Sequence, residues 1–490
     1  MSNLRPHQRY LIIVCFLLLF FGLRIFRLDA LPFFIDESLI VQWSAEVRSR
    51  SPLGFGYHGK YLLAWVTAGL GSVEVGYWTT RVVTLFFVML GASALVRLGQ
   101  RLHRWRSGVL ALFLMTWTPM LIFFDRLALT DTVLHAMLTL FMFFLIHTCR
   151  KKKIKIKHPI LVALTFLLAL LAKSTAIVLL PMPLVAVILL PTWSRQRRMR
   201  VLLLIYGAIL AFWLPLQIVL MLRDINYFGL AGQFSVGLDR VPLTVKLQDN
   251  TAFIVDGLRA YFGDWFFAVV AVSYGIALLR MPRRALTLLA MIGGLSLAII
   301  LAGGSGLSIR YWLAMIPTAL VLLIIGLEIL FDTFPSPIKN YGLPLLLVAY
   351  MVIIGIPFLR VAYTAPQELP LPGTDRLSYI ESDAAGTMLP EVAQFIDASD
   401  IRVTVGAFPQ CFTLNLYMTS EIQCVNVLAD NGRMQRVNQR LTVPEPPYYV
   451  VLESPGYVTL QDITVVDLTP IATFERRGGL ITIVIYEVSP

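Results

Sequence analysis

The stretch Leu31-Pro32-Phe33-Phe34-Ile35-Asp36-Glu37-Ser38 follows directly on the first long apolar run, near residues 10–28. If that run is a membrane helix, the adjacent carboxylates Asp36 and Glu37 stand where it emerges into the headgroup region. Composition decides the point. Hydrophobic residues make up 57% of the chain and charged residues 14%, and the mean hydropathy is +0.75. A soluble core cannot hide that much apolar surface, so most of the chain must lie in lipid. The run is longer than a signal-peptide core and is followed by no small-residue cleavage site, so it reads as an anchor that stays.

Working outward, a helix that crosses hydrocarbon needs about 20 apolar residues. Spans are expected near 10–28, 79–97, 107–124, 131–149, 158–172, 175–191, 200–222, 263–279, 285–302, 311–331 and 341–360, eleven in all. The fifth and sixth are short and share one apolar block. Basic residues gather at Arg5 and Arg9, at Arg97, Arg101, Arg104 and Arg106, and at Arg150 to Lys157. Further clusters are Arg195 to Arg200 and Arg280 to Arg284. With eleven spans every cluster falls on the side of the N-terminus. The positive-inside rule then puts the N-terminus in the cytoplasm and the C-terminus outside, in a multi-pass plasma (inner) membrane protein. Basic runs set between apolar spans also account for the net charge of +12 without nucleic acid.

The first outer loop, residues 29–78, is long. Ile40, Trp43 and Val47 share one helical face, which predicts a helix lying along the membrane surface. A glycine-rich turn containing His58, Gly59 and Lys60 follows. A second long outer loop, residues 223–264, is too polar to span and is placed to cover a site. After residue 360 the character changes. Residues 361–375 form a Pro-rich linker, and 376–490 read as a small α/β domain of mostly parallel type. Its strands are expected at 402–407, 425–428, 448–452, 463–467 and 480–488, with helices at 388–396 and 432–441. The fold class is therefore a mostly α membrane protein with about eleven transmembrane helices over residues 1–360 and a small extracytoplasmic C-terminal domain. Cys411 and Cys424 in that domain form a disulfide or stay as buried thiols. Cys15 and Cys149, in or at the end of apolar spans, read as inert.

Outer membrane ends normally carry few basic residues, so those that occur there need a reason. Arg81 opens the second span, and Arg126 stands in Phe124-Asp125-Arg126-Leu127-Ala128-Leu129-Thr130-Asp131. Lys173 sits in the bend of the short hairpin, and Arg310 precedes Tyr311 at the start of the tenth span. An ionised group in the bilayer interior costs roughly 2.5–3.5 kcal/mol, so such residues gather at an interface or a polar cavity. Cations at headgroup depth suit a phosphate, and carboxylates beside them suit a general base or a divalent metal. Each residue also has a plainer reading. Asp36 and Asp131 suit helix caps, Arg126 suits a pair with Asp125 or Asp131, and Lys173 and Arg310 suit snorkelling to lipid phosphates. His58 and Lys60 are candidate substrate contacts or parts of a solvated turn.

These residues together resemble the polytopic glycosyltransferases of the GT-C fold, in particular the protein O-mannosyltransferases and aminoarabinose transferases. The resemblance covers roughly residues 10–330. It rests on Asp36-Glu37 after the first span, Arg81 opening the second, and Arg126 with Asp131 between the third and fourth. The Leu171-Ala172-Lys173 bend with Pro181 and the Arg310-Tyr311 start of a span containing Pro317 complete it. The family's His- or Lys-Pro-Pro-Leu turn is replaced here by His58-Gly59-Lys60-Tyr61, a departure that puts the acceptor or donor contacts made by that turn in question.

The resemblance implies a polyprenyl-phosphate-linked sugar donor and transfer with inversion to a protein, lipid or glycan acceptor. Physical chemistry points the same way. Nucleotide sugars are cytoplasmic, so an external site needs a donor flipped across on a lipid. Asp36 is the expected base, supported by Glu37. Arg310, Lys173 and Arg126 are expected to stabilise the leaving phosphate, and Asp131 and Glu37 to orient substrate or hold a divalent cation. The alternatives are a transporter or flippase for a lipid-linked substrate and a non-catalytic lipid-binding homologue. A transporter would place its ionisable residues near the midplane of repeated halves.

Overall fold

A computed structural model describes residues 5–49, 52–53, 59–70, 76–190, 193–223, 225, 242–302, 307–382, 384–399, 401, 403–406, 408, 410–424, 447–454, 468–476, 478–479 and 481–488. By contacts the chain divides into two compact units. The first comprises Met1–Leu28, Trp43–Ser72 and Thr79–Tyr363. The second comprises Asp29–Gln42, Val73–Trp78 and Thr364–Pro490. The stretch bearing Asp36 and Glu37 thus groups with the C-terminal part of the chain, which local sequence did not foretell.

The first unit is helical. Among the described residues six helices are long and apolar enough to cross a membrane: Pro6–Ile25, Trp78–Leu102, Thr130–Cys149, Arg195–Met221, Pro282–Leu301 and Ser336–Thr364. A seventh is added if the bent pair Leu243–Phe262 and Trp265–Arg280 counts as one span. Lys157–Ala172, Ser174–Leu189 and Ile316–Phe331, where further spans were expected, are shorter apolar helices. The region near 107–124 is broken, with Trp105–Trp117 and Pro119–Phe124 meeting at Thr118 because Pro119 cannot continue the preceding helix. The expected eleven therefore counts elements too short to span alone.

Helices in lipid gain no hydrophobic drive from meeting one another, so close backbone approach carries their packing. Gly326 shows this: a Cβ there would fall 2.1 Å from the Ser273 carbonyl oxygen. Ser273 in turn donates its hydroxyl to the Leu323 carbonyl at 2.6 Å. At the end of Ile316–Phe331, Glu328 accepts from Arg104 Nε at 3.1 Å and from the Ser107 hydroxyl, and Asp332 accepts from Arg104 at 2.9 Å. Part of the basic cluster at 97–106 is thereby neutralised within the fold.

The polar segment 223–264 contains the helix Leu243–Phe262, which meets the next helix at 102°. Its buried stripe is Lys246, Asn250, Ile254, Gly257 and Tyr261, spaced three or four apart as one helical face requires. Asn250 donates to the Ile300 carbonyl at 2.7 Å.

The second unit carries a five-stranded sheet in the order β2-β1-β3-β5-β4. The strands are β1 Val403–Gly406, β2 Glu421–Cys424, β3 Tyr448–Ser454, β4 Leu468–Glu475 and β5 Thr482–Val488. β1 pairs in parallel with β2 and β3, whereas β5 runs antiparallel to β3 and β4. The sheet is mixed, not mostly parallel. Leu389, Val392, Ala393 and Ile396 form one face of the helix Leu389–Asp397 and pack with Tyr449, Val451, Ile483 and Ile485. Edge strand β4 takes Pro470 at a bulge, where the lost donor costs no ladder bond. Residues 432–441, expected to be helical, and the expected strands 425–428 and 463–467 lie outside the described residues.

Cys411 and Cys424 are disulfide-bonded, 13 residues apart, and tie the short helix Cys411–Asn415 to β2. A cross-link closing a loop of that size is worth about 3 kcal/mol. Reduction, or Cys424→Ser, should lower the thermal midpoint of this unit, as followed by limited proteolysis of the full chain on heating. Asp397 accepts from the Thr419 N–H at 2.8 Å, the Ser420 N–H at 3.0 Å and the Ser420 hydroxyl at 2.7 Å. Burial pushes its carboxyl up, but these hydrogen bonds outweigh burial and hold it below the ordinary range. A depressed folded value contributes stability in full above about pH 4, and the contribution disappears as pH falls through the folded value. Asp397→Asn should therefore lower the melting temperature at pH 6 and flatten its dependence on pH on the acid side.

Candidate active site

Three helix ends bring Asp131, Lys173 and Arg310 together in the first unit. Asp131 lies in the first turn of Thr130–Cys149, where a carboxylate is favoured by the unsatisfied N–H groups of the helix start. Lys173 is the extended residue that breaks Lys157–Ala172 from the 3-10 turn Ser174–Leu179. Arg310 stands in the 3-10 turn Ile309–Ala314, whose start is capped by the Ser308 hydroxyl. Lys173 Nζ donates to Asp131 Oδ1 at 2.5 Å, and Arg310 Nε lies 3.8 Å from Asp131 Oδ2. The Lys173 ammonium also sits 4.4 Å from the centre of the Tyr311 ring, and the Arg310 guanidinium 5.6 Å from it.

Asp131 and Lys173 are buried and Arg310 is half-buried. Helices Thr130–Cys149 and Lys157–Ala172 form an antiparallel hairpin joined at 150–156. The cluster therefore lies at the end opposite the basic run 150–157. Two cations fixed by one carboxylate beside an aromatic ring are equipped to take an anion.

Arg81 and Arg126 both bind backbone carbonyls. Arg126 donates to the carbonyls of Phe26, Arg27 and Ala362 and stacks over Tyr363. Arg81 donates to the Leu28 carbonyl at 2.7 Å. Both thus hold the chain where it leaves the first helix, at a turn in which Arg27 has φ +47. Lys60 lies 5.8 Å from the centre of the Trp43 ring. His58 lies outside the described residues.

Sequence reasoning offered Asp125 as a partner for Arg126 and missed the fully buried residues that Asp125 meets, Arg24 and His135. Asp125 accepts from Arg24 Nε at 3.4 Å and contacts His135 Nε2 at 2.9 Å. Arg24 also donates to the carbonyls of Thr116 and Met115 at 2.8 and 3.1 Å. These contacts staple the first helix to the broken third. An arginine inside the first apolar run, with Asp125 and His135 in others, was the available signal.

Asp36 and Glu37 open the helix Ile35–Arg48 and belong to the second unit. Glu37 is buried, and its carboxylate accepts from the Phe34 N–H at 3.0 Å, the back-bond that a third helical residue makes to the residue capping the helix. The capping contact anticipated for Asp36 is thus made by Glu37. Asp36 is half-buried.

A divalent cation takes several oxygen ligands. Asp131 already faces two cations, and among the described residues no group of three or more His, Cys, Asp or Glu is placed to hold a metal ion. The donor set around Asp131 does not suit one.

No protein-family model and no curated protein sequence matches the chain. Solved structures do share its fold. ArnT from Cupriavidus metallidurans bound to undecaprenyl phosphate is 14% identical with a TM-score of 0.62, over 98% of each chain. The oligosaccharyltransferase AglB from Archaeoglobus fulgidus, in complex with an inhibitory peptide and a dolichol-phosphate, is 12% identical with a TM-score of 0.51, over 85% of this chain and 64% of its own. The arabinofuranosyltransferase AftD from Mycobacteria is 13% identical with a TM-score of 0.50, over 99% of this chain and 40% of its own. These neighbours are glycosyltransferases of the GT-C fold, and that is the fold of this chain.

Proposed function

We propose that this chain is a multi-pass membrane glycosyltransferase that moves a sugar from a polyprenyl-phosphate carrier to an extracytoplasmic acceptor, with inversion at the anomeric carbon. The observation that carries the reading is the meeting of Lys173 and Arg310 on Asp131 at the ends of three helices. It occurs in a fold whose solved examples hold undecaprenyl phosphate and dolichol-phosphate. In this reading Lys173 and Arg310 take the carrier phosphate. A phosphate is already a good leaving group, so positive charge suffices and no general acid is needed. Asp36 takes the proton from the acceptor hydroxyl or amine as it attacks. Asp131 orients the two cations, Tyr311 packs beside them, and Glu37 fixes the helix start that carries Asp36. The basic runs support a cytoplasmic N-terminus, and the disulfide Cys411–Cys424 supports an external C-terminal domain.

The test uses the full chain in lipid nanodiscs with radiolabelled undecaprenyl-phosphoryl mannose, glucose, arabinofuranose and 4-amino-arabinose, supplied with membrane extract as acceptor. Transfer from one of these, with release of undecaprenyl phosphate, is the expected outcome. No turnover of any donor together with no binding of undecaprenyl phosphate would falsify the reading. Movement of an intact donor between leaflets without a glycosyl product would favour the flippase.

A further inference from the structure

We infer that the C-terminal domain is a working part of the acceptor-activating machinery: Thr413 and Tyr417, with Gly386, position the Asp36 turn. This rests on the proposed role of Asp36 as base and deepens it. All the contacts involved lie within the second unit.

The three backbone N–H groups that precede Asp36 each have a defined acceptor. Phe33 N–H donates to the Tyr417 hydroxyl at 2.7 Å, Phe34 N–H to the Glu37 carboxylate at 3.0 Å, and Ile35 N–H to the Ala384 carbonyl at 3.1 Å. Two of these acceptors come from the C-terminal domain, more than three hundred residues away in sequence. A third tie runs through side chains. The Thr413 hydroxyl donates to Ser38 Oγ at 2.9 Å, and Ser38 donates to the Ile35 carbonyl at 2.8 Å, so Thr413 reaches the backbone of the residue before Asp36.

Packing closes the arrangement. The Phe34 ring lies 4.5 Å from the Tyr379 ring, centre to centre. A Cβ on Gly386 would fall 1.8 Å from the Phe33 carbonyl oxygen, so only glycine lets the two backbones approach this closely. Thr413 and Tyr417 lie on and just after the helix Cys411–Asn415, which the disulfide anchors to β2.

A helix start that served only to lie on a membrane surface would need its own cap and no more. Here the cap is present in Glu37, and five further contacts fix the turn from outside. Over-determination of this kind is what a base needs, because a proton acceptor displaced by about 1 Å can lose about a hundredfold in rate.

The double variant Thr413→Val/Tyr417→Phe removes two hydroxyls and keeps the apolar bodies; Gly386→Ala pushes on the Phe33 carbonyl independently. In the full chain in nanodiscs, amide exchange over residues 33–38 should quicken about tenfold in both, while β3 and β5 keep their protection. With the undecaprenyl-phosphate-linked sugar that the wild type turns over, kcat should fall about 10- to 100-fold at unchanged donor KM. Thr413→Ser, which keeps the hydroxyl, should retain wild-type exchange and rate. Unchanged exchange, an unchanged kcat, or a Thr413→Ser variant as impaired as the double variant each overturns the inference. Asp36→Asn separates the two levels. If it is inactive while the double variant is fully active, positioning fails alone; if it is fully active, the base assignment fails, whatever exchange at 33–38 shows.

Discussion

Replacing Asp36 with asparagine is expected to lower sugar transfer about a thousandfold while leaving the binding of undecaprenyl phosphate unchanged. The substitution keeps the shape of the side chain and removes its capacity to accept a proton. The acceptor must lose a proton as it attacks, and a positioned base typically contributes about a hundred- to ten-thousandfold to such a step. The carrier phosphate is held, in this reading, by Lys173 and Arg310 on other elements, so donor affinity has no reason to move. Glu37→Gln supplies the contrast. Its carboxylate accepts from the Phe34 N–H, so losing the charge weakens the helix start; the amide oxygen can still accept that bond. A fall of about tenfold or less is expected there, with a lower melting temperature. Equal losses in the two variants would mean that Asp36 also acts through the fold and not as the base.

The parts of this picture that were legible in the sequence are those written in local pattern. Apolar length anticipated each of the six helices that, among the described residues, are long and apolar enough to cross a membrane, and the charges left over at span ends pointed to Asp131, Lys173 and Arg310. The bend at Lys173 was legible too, but apolar length counted the pieces on either side of it as spans, although each is 16 residues or fewer. Depth and side could not show partners. Arg81 and Arg126 were placed by that reasoning beside a phosphate, yet they serve carbonyls at the exit of the first helix, an arrangement set by tertiary contacts. In the sheet, β2 is a short edge strand with polar residues at Glu421 and Gln423, and β4 takes a proline at its edge. Neither reads as an apolar run, so apolar pattern points to the stretches beside them. Least legible was the grouping of residues 29–42 with the C-terminal domain, because no local periodicity records a hydrogen bond between Phe33 and Tyr417.

Lys173→Met is expected to weaken binding of undecaprenyl phosphate about a hundredfold, and a second substitution shows whether this reflects chemistry or damage. Lys173 is the nearest cation to Asp131, and both are buried. Removing the lysine alone leaves a buried carboxylate short of its closest partner, which in other proteins costs roughly 3–5 kcal/mol. A loss of binding in the single variant is therefore ambiguous. In Asp131→Asn/Lys173→Met both charges go and both shapes stay, and removing a buried pair together is often nearly neutral for stability. The double variant should recover most of the melting temperature lost in the single one. If Lys173 is a phosphate ligand, it should still fail to bind undecaprenyl phosphate, since the lost cation is not replaced. Were it only the counter-ion of Asp131, binding would return with the fold. Arg310→Met added to the double variant extends the test: as the second cation of the cluster, its loss should lower binding a further tenfold or so without a matching fall in melting temperature, because the neutral amide at position 131 leaves no buried charge behind.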